Sequence, residues 1–232
     1  MPLTAFCKDA NAKVFSLDLP ADFKPKEHEY ACLDCNTKML FVDGKYKVKH
    51  FRHQHVPDNC AYKPETKLHI EAKAFFYKLY TSVLNLGVKV TVEYRGLEGL
   101  RPDVFIEYEG KKYAIEIQIK YVKDYVFDKT LAYNALGISP IWIAPLPKER
   151  GNGKYGKTAL YKELQKLTGR VYCFDGEMLW GVRFVYTPGY RVQSHIEEHP
   201  IEPGYAMLPG EWLTRGDGII PGRFRDKAWW TQ

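Results

Sequence analysis

The chain has 232 residues, 45% hydrophobic and 27% charged, with a net charge of +6. That composition excludes a disordered or fibrous polymer, and its longest apolar runs, such as IWIAPL at 141–146, are far too short to span a bilayer. A folded, soluble protein of at most two units is expected, tilted towards polyanionic partners.

The first stretch, MPLTAFCKDANAKVF, has no cationic run leading into an apolar segment and a cleavage site, so no secretory signal is expected and the expected compartment is the cytosol. There the five cysteines are thiols or metal ligands rather than disulfides. From about Tyr30 to Cys60 the chain is rich in Cys and His. Cys32-Leu-Asp-Cys35 lets a tight turn aim two thiolates at one ion, and His50, His53, His55 and Cys60 follow. This exceeds the four ligands of a tetrahedral structural Zn²⁺, whose binding would supply folding free energy to a segment poor in apolar residues. The preferred set is Cys32, Cys35, His53 and Cys60, with His50 and His55 within reach of the same turn. Cys7 and Cys173 have no partners in sequence and are assigned no role.

From Pro64 to Tyr80, Leu68, Ala72, Phe75, Phe76 and Leu79 recur at helical spacing. Val88 to Tyr94 and Val104 to Tyr108 alternate as strands, and after the turn signal Glu109-Gly110 a third strand runs from Tyr113 to Ile119, with Glu116, Gln118 and Lys120 on one face. A helix over about Lys123 to Leu136 ends at Gly137; a buried strand (Pro140 to Ala144), a helix (Thr158 to Leu167) and a strand (Arg170 to Phe174) follow. The order describes an α/β sandwich with a mixed sheet. Past about Val185, Gly, Pro and scattered aromatics suggest irregular structure wrapping a core. His195-Ile-Glu-Glu-His199 formally fits an inverted zinc-protease signature, but Pro200 and the loop-like surroundings point to an exposed loop.

Arg101-Pro-Asp103 opens one strand, and Ala114-Ile-Glu116-Ile-Gln118 runs along the next, the spacing of a PD…(D/E)xK core with Gln in place of Lys. Asp103 and Glu116 offer hard oxygen ligands to Mg²⁺ or Mn²⁺, and such an ion activates water for in-line attack on phosphorus. Glu65, His69 and Lys73, spaced i, i+4, i+8, stack on one helix stripe beside the apolar face. They suit a further metal ligand, a proton-transfer group or phosphate contact, and a positive charge near the transition state. Taken singly, each of these groups is more ordinarily part of a solvated face; their order along the chain is what singles them out.

Cys32 and Cys35, His50-Phe-Arg-His53, Cys60, Glu65-Thr-x-x-His69-x-x-x-Lys73, Arg101-Pro-Asp103-Val and Ile115-Glu116-Ile-Gln118 stand in the order of the CoiA-like competence nuclease family of bacteria, which the chain resembles over about residues 5–145. The resemblance implies a zinc-finger-like element joined to a restriction-endonuclease-like domain of the PD-(D/E)xK type; the units are expected at 1–62 and 63–185, the latter with helices on both faces of a mixed sheet, and composition alone makes 186–232 a Gly/Pro-rich extension. It also implies an active-site set of Glu65, Asp103, Glu116 and Gln118 with His69 and Lys73 beside them, the glutamine being a family trait. Two departures stand out. Ile119-Lys120-Tyr121 follows where a small polar residue is expected, and the family's Arg-x-x-x-Tyr appears as Lys129 and Tyr133. The implied activity is metal-dependent hydrolysis of DNA, linked to competence or recombination. The alternative is a non-catalytic nucleic-acid-binding protein on the same fold, against which three clustered carboxylates argue, since without a metal they repel DNA.

Overall fold

The computed structural model describes residues 2–20, 22–44, 47–62, 65–83, 88–146, 149–150, 154–155, 158–168, 171–185 and 195–201. The chain divides into two compact units between Phe75 and Phe76.

The first unit is built on a five-stranded antiparallel sheet of β1 (Thr4–Cys7), β2 (Ala12–Phe15), β3 (Tyr30–Ala31), β4 (Lys38–Gly44) and β5 (Lys47–His53), ordered β2-β1-β3-β4-β5. Its buried face gathers Ala5, Cys7, Tyr30, Cys32, Met39 and Phe51. Phe51 is wholly enclosed, its ring 4.8 Å from Tyr30 and 5.4 Å from Phe41. Strand parity decides what each histidine of β5 does. His50 and His53 are three residues apart and so project from opposite faces of the sheet.

Helix α1 (Lys67–Lys78) begins at Lys67, after Thr66, whose hydroxyl accepts the His69 amide at 3.3 Å as an N-cap. The expected helix from Pro64 is corrected accordingly: Glu65 precedes the cap, and Pro64 lies outside the described residues. One π-helical turn follows α1 over Leu79–Val83.

The second unit carries a seven-stranded mixed sheet. Its strands are β6 (Lys89–Val92), β7 (Val104–Tyr108), β8 (Lys111–Ile117), β9 (Ile138–Pro145), and, after a short ribbon of β10 (Glu149–Arg150) and β11 (Lys154–Tyr155), β12 (Val171–Phe174), β13 (Leu179–Val185) and β14 (His195–Ile201). The order is β14-β13-β12-β9-β8-β7-β6. Strands β6 to β8 form an antiparallel meander, helices α2 (Tyr125–Ala135) and α3 (Thr158–Thr168) connect the parallel triplet β8, β9, β12, and β13 and β14 return antiparallel. This is a mixed α/β fold. The β7–β8 loop has two residues, Glu109 and Gly110, both at positive φ (47° and 75°), as a tight turn matched to strand twist requires. Trp142 and Ala144 of β9 pack with Val126 of α2 and Leu160, Tyr161 and Leu164 of α3, so the connecting helices are fixed by apolar burial on the central strand.

Three local expectations are corrected. Strand β8 stops at Ile117, leaving Gln118 and Lys120 beyond it, although the Gln118 amide still donates to the Ile143 carbonyl at 2.8 Å. The strand expected to reach Tyr94 ends at Val92, because Glu93 adopts φ 54° and turns the chain. His195 to His199 lie in β14 rather than in a loop. The i, i+4 spacing of the signature makes neighbours on a helix and not on a strand. The rest of the Gly/Pro-rich region, 186–194 and 202–232, lies outside the described residues.

Phe51→Ala is expected to lower the stability of the first unit by about 3–5 kcal/mol, the range for truncating an enclosed aromatic, and a urea melt followed by aromatic fluorescence measures it.

Candidate active site and metal centre

The Cys/His cluster is assembled by a turn and a strand end. After β3, the chain turns through Cys32-Leu-Asp-Cys35-Asn36-Thr37. The Cys32 amide donates to the Thr37 carbonyl and the Asn36 amide to the Cys32 carbonyl, both at 2.9 Å, and Asn36 takes φ 56°, a conformation asparagine tolerates. The turn also aims the Asp34 amide at Cys32 Sγ, 3.4 Å away. His53 closes β5, and Cys60 arrives from the loop beyond it.

The four ligand atoms lie within 4.8 Å of one another. Cys32 Sγ is 3.8 Å from Cys60 Sγ, and His53 Nε2 is 3.4 Å from Cys35 Sγ and 3.7 Å from Cys60 Sγ. Tetrahedral Zn²⁺ with its usual bond lengths demands edges of about 3.8 Å between sulfurs and about 3.6 Å from sulfur to nitrogen. The set Cys32, Cys35, His53 and Cys60 can therefore hold a metal such as zinc. His50 is directed elsewhere, its buried Nδ1 2.7 Å from the Val48 carbonyl, and His55 lies past the strand and exposed. Burial pushes the Cys35 thiol up, but the hydroxyl and amide of Thr37 and the His53 ring outweigh it and bring it down to about 6. Burial, reinforced by the neighbouring thiols, pushes Cys60 up to about 11. A divalent ion replaces the protons such a cluster otherwise retains.

The carboxylate pair is positioned by the β7–β8 hairpin. Val104 opposes Ile115, so Asp103 at the start of β7 and Glu116 near the end of β8 come to the same end of the sheet. Asp103 Oδ2 accepts the Ile117 amide at 2.8 Å, which aims its carboxylate across the hairpin. Glu116 is only 4% exposed. Its Oε2 accepts Lys129 Nζ at 2.8 Å and its Oε1 accepts the Tyr133 hydroxyl at 2.5 Å, both from α2. In the sequence Lys129 and Tyr133 stand out only as the softened form of the Arg-x-x-x-Tyr pattern; their i, i+4 spacing sets both on one helix face, and that face meets Glu116. Burial first, then the charge of Asp103, lifts the Glu116 carboxyl to about 7 against the opposing pull of Lys129 and Tyr133. Burial works against the Lys129 ammonium, but Glu116 outweighs it and raises its pKa. The Gln118 side-chain amide donates to the Lys120 carbonyl, and Lys120 is exposed.

Of Glu65, His69 and Lys73, expected on one stripe beside the apolar face, Lys73 lies deepest. Lys73 is wholly buried, and its Nζ lies 2.8 and 2.7 Å from the two oxygens of Glu65. His69 is half-buried in the first turn. Glu93, which no sequence motif marks, is 2% exposed with its carboxylate 3.7 Å from Arg101. A glutamate at a predicted strand end carried no signal of burial.

Two outcomes are expected. Cys60→Ser should weaken zinc binding by roughly a hundredfold or more, while His50→Ala and His55→Ala leave it unchanged, as read by chelator competition; wild-type affinity should fall as pH falls, because thiol protons must leave. For Glu116, the unfolded carboxyl ionises near 4.5 and the folded one near 7, so the folded state keeps the extra proton in between. Stability of the metal-free protein relative to Glu116→Gln should thus fall by roughly 3 kcal/mol as pH rises through that window, and level off above it. A pH-independent difference in urea midpoints would show that the carboxyl titrates normally.

No curated protein matches the chain. Residues 65–171, running from Glu65 through both carboxylates to the start of β12, match the family model of the competence protein CoiA nuclease-like domain. Over those residues the chain is similar to this CoiA nuclease-like domain, and ahead of them it carries a Cys₃His cluster that could hold a metal such as zinc.

Proposed function

We propose that this protein is a metal-dependent nuclease that hydrolyses phosphodiester bonds of DNA, in DNA processing tied to competence or recombination. The observation that carries the reading is the juxtaposition of Asp103 and Glu116 at one end of the sheet, where burial and mutual repulsion hold the Glu116 carboxyl partly protonated until a cation neutralises the pair. Hard carboxylate oxygens in that state fit Mg²⁺ or Mn²⁺. Asp103 and Glu116 would hold the ion. Bound there, the ion supplies Lewis-acid polarisation of the phosphoryl oxygens and lowers the pKa of water for in-line attack.

The remaining roles belong to the protein's own groups. Lys129 and Tyr133 orient Glu116 through one bond to each oxygen, leaving further lone pairs for a metal. Lys73 holds Glu65 in the same manner, a positioning role rather than contact with the scissile phosphate. His69 is proposed as the proton-transfer group or phosphate contact. Gln118 stands where the motif lysine would be, but its amide is engaged by the Lys120 carbonyl. The cation that reaches Glu116 comes instead from α2, as Lys129. The Cys₃His unit is proposed to hold structural zinc.

A second reading is favoured by one feature: Glu116 and Glu65 are each already satisfied by protein donors. A nucleic-acid-binding protein without turnover would keep such a site. The discriminating experiment incubates labelled single-stranded, duplex and branched DNA with wild type, Asp103→Ala, Glu116→Ala and Lys129→Met, in Mg²⁺, Mn²⁺ or EDTA. Cutting that needs the metal, falls by about a hundredfold or more without either carboxylate and by about ten- to a hundredfold without Lys129 supports the nuclease. Binding without cutting in every metal transfers the assignment to the second reading.

A further inference from the structure

A second group of metal-ligating side chains lies in the first unit, in residues that neither the nuclease reading nor the Cys₃His centre uses. Cys7 ends β1, Asp9 sits in the turn into β2, and His28 precedes β3. The backbone brings them together: Cys7 opposes Tyr30 in the β1–β3 pairing, and the Lys8 amide donates to the Glu29 carbonyl at 2.9 Å. A sulfur, a carboxylate oxygen and an imidazole nitrogen of the three residues lie within 4.8 Å of one another.

The spacing and the surroundings fit a ligand set. His28 Nδ1 is 3.4 Å from Asp9 Oδ2, the range of a surface ion pair and also that of a nitrogen and an oxygen bound tetrahedrally to one Zn²⁺, about 3.3 Å, so an ion fits between them without rearrangement. Both polar groups are also held from outside, as ligands are by their supporting shell. The Glu29 amide donates to Asp9 Oδ2 at 2.8 Å, and the Phe23 ring stacks on His28 at 4.5 Å and 9°. The mixture of thiolate, imidazole and carboxylate suits a borderline-soft ion and is wrong for Mg²⁺ or Ca²⁺, which prefer oxygen alone.

We propose that Cys7, Asp9 and His28 form a second zinc site, one with three protein ligands. Cys7 is buried whereas Asp9 is exposed, so the ion sits at the surface with its fourth position towards solvent. Binding displaces the Cys7 proton, and the open position takes water or an exchangeable anionic ligand. The site is independent of the nuclease reading and of the Cys₃His centre.

The test counts zinc on full-length protein, stripped and then titrated with Zn²⁺ against a chromophoric chelator, for wild type, Cys60→Ser, His28→Ala, Asp9→Asn and Cys7→Ala. Asp9 and His28 are not enclosed in the core, so their variants stay folded even where Cys7→Ala does not. Wild type is expected to take up two equivalents. His28→Ala and Asp9→Asn should each lose the weaker one and keep the tighter, and Cys60→Ser should weaken the tighter alone. Cobalt substitution should then show thiolate-to-metal absorption from a one-sulfur centre that is missing in His28→Ala. A single equivalent in wild type, or a second equivalent that survives in both His28→Ala and Asp9→Asn, overturns the site.

Discussion

The second unit is organised around the burial of one carboxylate. Glu116 sits near the end of β8 with 4% of its surface exposed, and the adjacent Asp103 makes its ionisation harder still. A group in that position is tolerated only if donors meet it, because an unpaired buried charge costs several kcal/mol. Those donors come from α2, whose Lys129 and Tyr133 each take one oxygen. The helix can reach only because Val126 and Tyr133 on its inner face pack onto the sheet, Val126 against Trp142 and Tyr133 against Phe105 and Ala114. Apolar burial thus sets the helix, and the helix sets the electrostatics of the carboxylate pair.

The first unit solves a different problem with a similar division of labour. Its five-stranded sheet is centred on the packed rings of Tyr30, Phe41 and Phe51. The Cys₃His cluster joins the turn after β3, the end of β5 and the loop carrying Cys60 at the border of that core, where Cys32 is enclosed and Cys35 and Cys60 pack against it. A metal there adds cross-links between segments far apart in sequence, and its binding free energy becomes folding free energy. The unequal thiols, Cys35 lowered and Cys60 raised, reflect one cluster that shares its charge until an ion is present.

Much of the fold was legible because its signals are local. The alternation of Val104 to Tyr108 and of Tyr113 to Ile117, the Glu-Gly turn between them, Gly137 after α2 and the apolar run of β9 each state their structure within a few residues. The strands of the first unit were not legible: Tyr30–Ala31 spans two residues and β1 and β2 four each, too few for alternation to show, while β4 and β5 span seven but do not alternate apolar with polar residues. His195 to His199 misled for another reason. Charged residues beside proline resemble a loop, and only pairing with β13 makes them a strand.

The sequence by itself determined the chemistry available: which carboxylates, thiols and imidazoles exist, and at what spacing along helix or strand. Those spacings are consequences of the 3.6- and 2-residue periods, so they could be read without coordinates. Tertiary structure alone decided how the groups are used. It chose His53 over His50 through the parity of β5, turned Gln118 onto a backbone carbonyl beyond the end of β8, buried Lys73 on Glu65, and brought Lys129 across to Glu116. Burial and partner choice depend on contacts between segments distant in the chain, and no local pattern encodes them.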